Sequence, residues 1–240
     1  MTREISWRRL LVEGAVIVGS ILLAFGIDAW WDATRDRSRE LGYLRALAAE
    51  FTSAQDAAIA LEPGRVQAAR SAASLIRQVQ GAARAPEDSL FLWASGLSQQ
   101  IEFNPPRAVL DDLVSSGETQ RIRSDTLRLL LARYPAQLAQ VAYADAQAWA
   151  TWEDRIQPYL EGRIPRVDRL RRGTFGRAFD VPFSPSPHPA RWNEVFATPR
   201  FEDMLAERWM RLEIARRRFE GTRQLIDALL RAIHEQLGPG

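Results

Sequence analysis

The residue types that enzymes and metal sites need are scarce in this sequence of 240 residues. It has no Cys, which excludes thiolate zinc sites, iron–sulfur clusters and Cys nucleophiles. Its two histidines, His188 in a Ser/Pro run and His234 in the last predicted helix, lie in no Glu-x-x-His pair of the kind that binds metals in helical bundles. No glycine-rich phosphate loop or Gly-x-Ser-x-Gly motif occurs. We therefore predict no enzyme, no catalytic residues, no cofactor and no metal site.

Ser115-Ser116-Gly117 is a short motif that could bind an anion through its backbone N–H groups. The alternative is an ordinary helix end with Gly117 in the left-handed conformation, and we favour it because glycine commonly ends helices in this way. The charges indicate no further ligand: 32 basic residues, all of them Arg, against 30 acidic ones leave a net charge of +2. That excess of positive charge is too small to indicate binding of nucleic acid. We infer no nucleic-acid partner and no small-molecule substrate.

The best candidate for a binding surface is a run of arginines interleaved with phenylalanines, here called the Arg/Phe segment. Arg and aromatic side chains are enriched at the centres of protein interfaces. Two alternatives stay open: the arginines bind anionic lipid headgroups, or the segment is a solvated loop with a few Phe side chains tucked onto the fold. The predicted partner-binding residues are Arg163, Arg166, Arg169, Arg171, Arg172, Phe175, Arg177, Phe179 and Phe183.

Residues 10–27 form the clearest apolar run, interrupted by one acid, Glu13. A helix of this length spans roughly 27 Å, close to the hydrocarbon thickness of a bilayer. Tryptophans stand at both ends of the run, where the two aromatic belts of a membrane lie. We predict a single transmembrane helix that is retained as an anchor. The predicted anchor residues are Trp7, Arg8, Arg9, Glu13, Gly19, Ala24, Asp28, Trp30 and Trp31.

Other interpretations of this run are less favoured. A cleaved signal peptide fits the charged start, but residues 28–32 lack the small-x-small pattern of a cleavage site. Ion or proton transport through Glu13 and Asp28 is disfavoured because both acids lie near the edges of the span, and Arg9 can pair with Glu13. Small residues recur four apart in two pairs, Ala15 with Gly19 and Ser20 with Ala24, and would let another helix pack closely.

The predicted location is the cell inner membrane, as a single-pass protein with a cytoplasmic N-terminus and a periplasmic bundle. Arginines stand on both sides of the span, so their number alone leaves the orientation open. Those after the span alternate with acids, whereas Arg8 and Arg9 lie directly beside it. We therefore place the N-terminus inside.

The remaining sequence predicts an all-α fold, because apolar residues recur at three-four spacing and no alternation persists long enough for a strand. Residues 158–199, with seven of the thirteen prolines, predict a mostly irregular excursion. The first predicted helix continues from the membrane to Pro63-Gly64, and a second spans residues 66–80 and ends at Gly81. A third helix begins at Pro86, and a short fourth helix spans residues 108–115. A long helix follows Ser124 and is kinked or divided by Pro135, and the last helix extends from Pro199 to about Leu237.

The predicted architecture is a transmembrane helix that continues into a stalk and a membrane-attached bundle of long antiparallel helices. We divide it into residues 1–31, the N-terminal tail and transmembrane helix, and residues 32–240, the helical bundle domain with its excursion.

Two blocks of the sequence form a recognisable pattern. The first contains Glu13-Gly14, Ile27-Asp28-Ala29-Trp30 and Tyr43-Leu44, and the second contains Phe103-Asn104-Pro105, Leu113-Val114-Ser115-Ser116-Gly117, Ile122, Leu127-Arg128 and Tyr134. These blocks resemble an uncharacterised bacterial family of single-pass membrane proteins with a helical extracytoplasmic domain. The resemblance covers about a third of the chain, implies architecture and supplies no activity or site residues. The sequence departs from the family pattern at Asp28-Ala29, where amides are usual, and at Pro135, where a second aromatic residue is usual.

These features predict a non-enzymatic structural subunit that holds together a larger integral-membrane assembly. Its expected partners are other integral-membrane subunits and the lipid bilayer. As the assembly we name a bacterial photosynthetic reaction-centre and antenna complex, because such complexes are built largely from membrane helices and recruit accessory anchors. The alternative is a ligand-sensing or signalling domain outside the membrane that acts through a partner, an analogy at the level of the fold.

Overall fold

The computed structural model describes the backbone of residues 7–238 and the side chains of residues 18–238. The protein is 80% helical, and the described part contains no strand, which confirms the all-α prediction. The long helices α1 and α9 pack antiparallel, and α4 packs on α9. The helices are α1 (Trp7–Val79), α2 (Glu87–Leu97), α3 (Ala108–Ser115), α4 (Asp125–Thr151), α5 (Gln157–Leu160), α6 (Arg166–Arg172), α7 (Thr174–Ala178), α8 (Trp192–Phe196) and α9 (Pro199–Leu237), with a 3₁₀ turn at Glu118–Arg121 and a π-helical turn at Trp152–Ile156.

Helix α1 runs through Pro63, so the predicted break at Pro63-Gly64 is wrong. A proline inside a helix costs about 3 kcal/mol, because it removes a hydrogen bond and its ring crowds the preceding turn. Packing on both sides of Pro63 offsets this cost: Ala58 and Ala68 are completely buried. The residue before the proline, Glu62, also forms an ion pair with Arg223 of α9.

The predicted helix boundaries are otherwise confirmed. Helix α1 ends two residues before Gly81, and α3 ends at a turn containing Gly117; the φ angles of these glycines are +88° and +74°. Ser124 caps α4, since its hydroxyl accepts a hydrogen bond of 3.2 Å from the N–H of Leu127. Pro135 lies within α4 and does not divide it.

Two apolar clusters form the core. The cluster nearer the N-terminal half of α1 contains two edge-to-face aromatic pairs, Phe51 with Tyr134 at 5.0 Å and Phe103 with Phe219 at 5.2 Å between ring centroids. The other cluster lies between the end of α1, α2, the end of α4 and the start of α9. Its buried aromatic members are Phe91, Trp152, Tyr159, Trp192 and Phe201.

A buried set of polar residues, here called the polar layer, consists of Arg65, Asp145 and Arg208. Arg65 of α1 donates two hydrogen bonds, of 2.5 and 2.7 Å, to the carboxylate of Asp145 on α4. Arg208 of α9 donates to the carbonyls of Ala148 and, at 2.8 Å, Leu97. Along α1 and α4, the members of this layer stand between residues of the two apolar clusters. The polar layer therefore ties four helices together where the core changes from one cluster to the other.

Replacement of Asp145 by Asn is expected to lower the free energy of unfolding by about 3–5 kcal/mol, because it leaves the buried charge of Arg65 without a counter-charge. For a chain of this size the melting temperature should fall by roughly 6–20 °C. The measurement is thermal unfolding of the full chain, followed by circular dichroism. The matched control is Asp111→Asn, which removes the exposed ion pair with Arg107 and should cost about 1 kcal/mol or less. Equal effects of the two substitutions would contradict the role assigned to the layer.

Candidate functional site

Residues 18–35 of α1 project from the bundle without packing against it. Every side chain from residue 18 to residue 35, here called the helix extension, is exposed. Contacts with the bundle begin at Asp36, which pairs with Arg121, and at Arg37, which donates a 3.0 Å hydrogen bond to the carbonyl of Gln236. Glu40 is the first buried residue of α1 among the described side chains.

The apolar side chains of the helix extension point in all directions around the helix. Successive residues of an α-helix are rotated by about 100°, so these positions form no single stripe. Each is between 49% and 67% exposed, and they therefore lie uncovered by the described chain. They are Val18, Ile21, Leu22, Leu23, Phe25, Ile27, Trp30 and Trp31.

The predicted anchor falls partly outside the described residues. Among the described residues, no helix combines the length and apolar character that crossing a bilayer requires. Of the predicted anchor side chains, those of Trp7, Arg8, Arg9 and Glu13 lie outside the described part. The others, Gly19, Ala24, Asp28, Trp30 and Trp31, are all exposed.

The Arg/Phe segment contains more regular structure than its prolines predict. Helices α6 and α7 lie within it, and both pack against α2. Arg172 of α6 holds this packing: its Nε donates to Asp88 at 2.7 Å and its Nη1 to Glu87 at 2.9 Å. Its guanidinium also lies 4.3 Å from the ring centroid of Phe91. The prediction of a mostly irregular excursion over residues 158–199 is therefore corrected in part: α6, α7 and α8 lie within it, and residues 179–191 are irregular.

The junction of α6 and α7 needs a residue without a side chain. A Cβ at Gly173 would overlap the side chain of Ser95 and the carbonyl of Arg169. The close approach allows two hydrogen bonds: the N–H of Thr174 donates to the Ser95 hydroxyl at 3.0 Å, and the two hydroxyls lie 2.8 Å apart. Ser95 thus links α7 to α2 through these two hydrogen bonds.

The structure divides the predicted partner-binding residues into three groups. Arg163 and Arg172 make contacts within the fold; Arg163 donates to the carbonyl of Tyr159 at 2.7 Å. Arg171, Arg177 and Phe183 lie outside the cavity described next, and Phe183 is 54% exposed. The members brought together at that cavity are Arg166, Arg169, Phe175 and Phe179.

The cavity has a volume of about 510 Å³ and lies between the ends of α2 and α4 and the helices α6 and α7. Trp149 and Trp152 form one wall, and the rings of Phe175 and Phe179, 4.6 Å apart, form another. Trp152 begins the π-helical turn, a local widening that is frequent at functional sites. Sequence reasoning missed this wall, although the i,i+3 spacing of the two tryptophans places them on one helix face.

Arg169 is the buried charge of the cavity, with 7% of its surface exposed. Its guanidinium lies 5.7 Å from the ring centroid of Trp152. Burial, with the like charge of Arg166 and against the attraction of Glu161, lowers the pKa of Arg169 to about 10. The side chain is therefore a cation at neutral pH.

No protein-family model, curated protein or solved structure matches the chain. The family resemblance therefore stays a prediction. Within the described residues, no three His, Asp or Glu side chains come together in a group that could hold a metal ion.

Replacement of Gly173 by Ala is expected to loosen α6 and α7 from α2, because the new Cβ would overlap Ser95 and the Arg169 carbonyl. Overpacking of this kind costs about 1–3 kcal/mol, so tryptic cleavage at the arginines of α6 and α7 should accelerate by about tenfold. The measurement is the rate of cleavage at each site, identified by mass spectrometry. Gly42→Ala in α1 is the control, since a Cβ there meets no atom within 4 Å. Unchanged cleavage in G173A would contradict the close approach.

Proposed function

We propose that this protein is a non-enzymatic structural subunit, anchored in a membrane by residues 10–27, that holds together a larger integral-membrane assembly. The bilayer and other integral-membrane subunits are its proposed partners. The proposed location is the cell inner membrane, with the bundle on the periplasmic side. A bacterial photosynthetic reaction-centre and antenna complex is the assembly that we name.

The observation that carries this proposal is the part of the helix extension at residues 18–27, where no side chain is charged and every side chain is exposed. A helix that is apolar all round is the kind found inside a large protein or a membrane, whereas a water-exposed helix is polar on at least one side. Large contiguous apolar surfaces on soluble proteins mark interaction sites. The apolar sequence also continues in residues 14–17, ahead of the described side chains. Lipid around this helix, and another helix against Gly19 and Ala24, would together cover it.

The bundle supplies a second surface for a partner. Phe175, Phe179 and Phe183 are each about half exposed. Arg177 lies among them and forms no ion pair with any described residue. Because Arg172 and Ser95 hold α6 and α7 against α2, the exposed side chains of Phe175, Arg177 and Phe179 stand on a supported surface. A supported aromatic and Arg surface is typical of interface centres.

The double substitution Val18→Arg and Leu22→Arg is expected to abolish stable membrane association. Each charge near the middle of the proposed span costs about 2.5–3.5 kcal/mol on insertion scales. The measurement is the fraction of protein that stays in the membrane pellet after a carbonate wash. The control is Leu129→Arg, which places a charge at a 61% exposed position of the bundle. Retention of V18R/L22R at the level of this control would contradict the anchor.

Purification from native membranes in a gentle detergent is expected to recover the protein with other membrane subunits in fixed stoichiometry. Mass spectrometry of the co-migrating chains would identify the assembly. Pigment–protein subunits among these chains would support the photosynthetic complex as the assembly. A different set of subunits would contradict that assignment and identify another assembly. Recovery as a lone monomer or homodimer would overturn the structural-subunit proposal and leave the anchor intact.

A variant separates the bundle surface from the anchor in this experiment. Arg177→Glu with Phe183→Ser changes two exposed residues that lie outside the cavity, so the fold and the cavity should be unaffected. We expect the co-purified subunits to fall by tenfold or more, since interface anchors of these types typically contribute about 2 kcal/mol. The control is Tyr143→Ser, a 68% exposed aromatic on α4. Full co-purification of R177E/F183S would exclude this part of the Arg/Phe segment as the partner surface.

A further inference from the structure

Three arginines are buried in the described part of the chain, and they differ in what satisfies them. Arg65 is paired with the carboxylate of Asp145. Arg208 donates to backbone carbonyls at the ends of α2 and α4. The guanidinium of Arg169 has no hydrogen-bond acceptor or ion-pair partner among the described residues. The Nε atoms of all three arginines are buried without an acceptor, so the difference lies in the terminal nitrogens, which have acceptors in Arg65 and Arg208 and none in Arg169. Its neighbour in the fold is the face of Trp152.

An unsatisfied guanidinium is costly in the interior of a protein. Arg carries five N–H donors in a planar fork that matches a carboxylate, and leaving such donors without acceptors costs more than leaving a neutral group unpaired. Native structures rarely retain such a group without an acceptor from protein, water or ligand. The cavity beside Arg169 is where that acceptor can be placed.

The lining of the cavity matches one class of ligand. Its volume lies in the range of small-molecule sites, about 300–1,000 Å³. Trp149, Trp152, Phe175 and Phe179 offer aromatic faces for an apolar body. The charged side chains that line it are Arg166, Arg169 and Glu153, a net charge of +1, with Arg166 and Glu153 exposed.

We propose that this cavity is a binding site for a small organic monocarboxylate with an aromatic or apolar body. The carboxylate accepts hydrogen bonds from the Arg169 guanidinium, Arg166 adds a second positive charge at the opening, and the aromatic walls enclose the body. A single carboxylate matches the net charge of the lining, whereas a multiply charged anion such as phosphate meets the carboxylate of Glu153. This site does not involve the proposed anchor, and Arg177 and Phe183 of the proposed partner surface lie outside it.

The test compares matched pairs of probes on the purified full chain by isothermal titration calorimetry. The probes are benzoate, 3-phenylpropionate and indole-3-propionate, each with its neutral amide, and inorganic phosphate. At least one carboxylate is expected to bind with a Kd of about 1 mM or below, and at least tenfold more tightly than its amide. Phosphate is expected to bind no better than the amides.

Two variants assign the binding to Arg169. Arg169→Gln should weaken binding of the carboxylate by at least tenfold and leave binding of the amide unchanged, whereas Arg177→Gln, outside the cavity, should change neither. If R169Q does not fold, the difference between carboxylate and amide on the natural protein still decides the outcome. Equal binding of carboxylate and amide, tighter binding of phosphate, or no binding of any probe below about 10 mM would overturn the proposal.

Discussion

The ion pair between Arg65 and Asp145 is the interaction on which the arrangement of the bundle depends. Apolar clusters lie on both sides of it, and apolar contacts alone tolerate sliding of one helix along another. A guanidinium that donates two hydrogen bonds to one carboxylate does not tolerate sliding, because its geometry is fixed. We therefore expect the pair to set the register of α1 against α4. Removal of the charges from water is expensive, so its main contribution is to specify one arrangement.

Arg208 fixes the positions of α2 and α4 relative to α9 beside the cavity. It donates to the carbonyl of Ala148, one turn before the π-helical turn begins, and to the carbonyl of Leu97 at the end of α2. Carbonyls near helix ends and at π-turns lack their usual helical partners. Here the N–H of Trp152 donates to the carbonyl of Trp149, three residues back, and so is not the partner of Ala148. Arg208 thereby supports the turn that presents Trp152 to the cavity.

Much of the fold could be predicted from local sequence signals. The periodicity of apolar residues predicts α2, α3, α4 and α9, and the signals at Ser124, Gly81 and Gly117 locate three boundaries. Local signals fail to predict the structure where contacts with residues distant in the sequence determine it. Pro63 predicts a break, but packing against α9 keeps α1 continuous.

The candidate sites were less predictable, for the same reason. The amino-acid composition identifies the Arg/Phe segment but does not show which of its arginines are paired, buried or exposed. Arg172 differs from Arg177 because Glu87 and Asp88, more than 80 residues earlier, come within reach of it. Arg169 differs from both because folding places its guanidinium against Trp152, and no described acid forms an ion pair with it. The helix extension was predictable because its signal, an apolar run, is entirely local.

The Arg/Phe segment connects the two proposals physically. Phe175 and Phe179 belong both to the exposed aromatic surface and to the wall of the cavity. A ligand that orders these rings changes the surface offered to a partner, and a partner that holds them changes the cavity. Thermodynamic linkage then requires that each alters the affinity of the other by the same factor. The positions that separate the two functions are those that belong to only one of them: Arg169 for the ligand, and Arg177 and Phe183 for the partner.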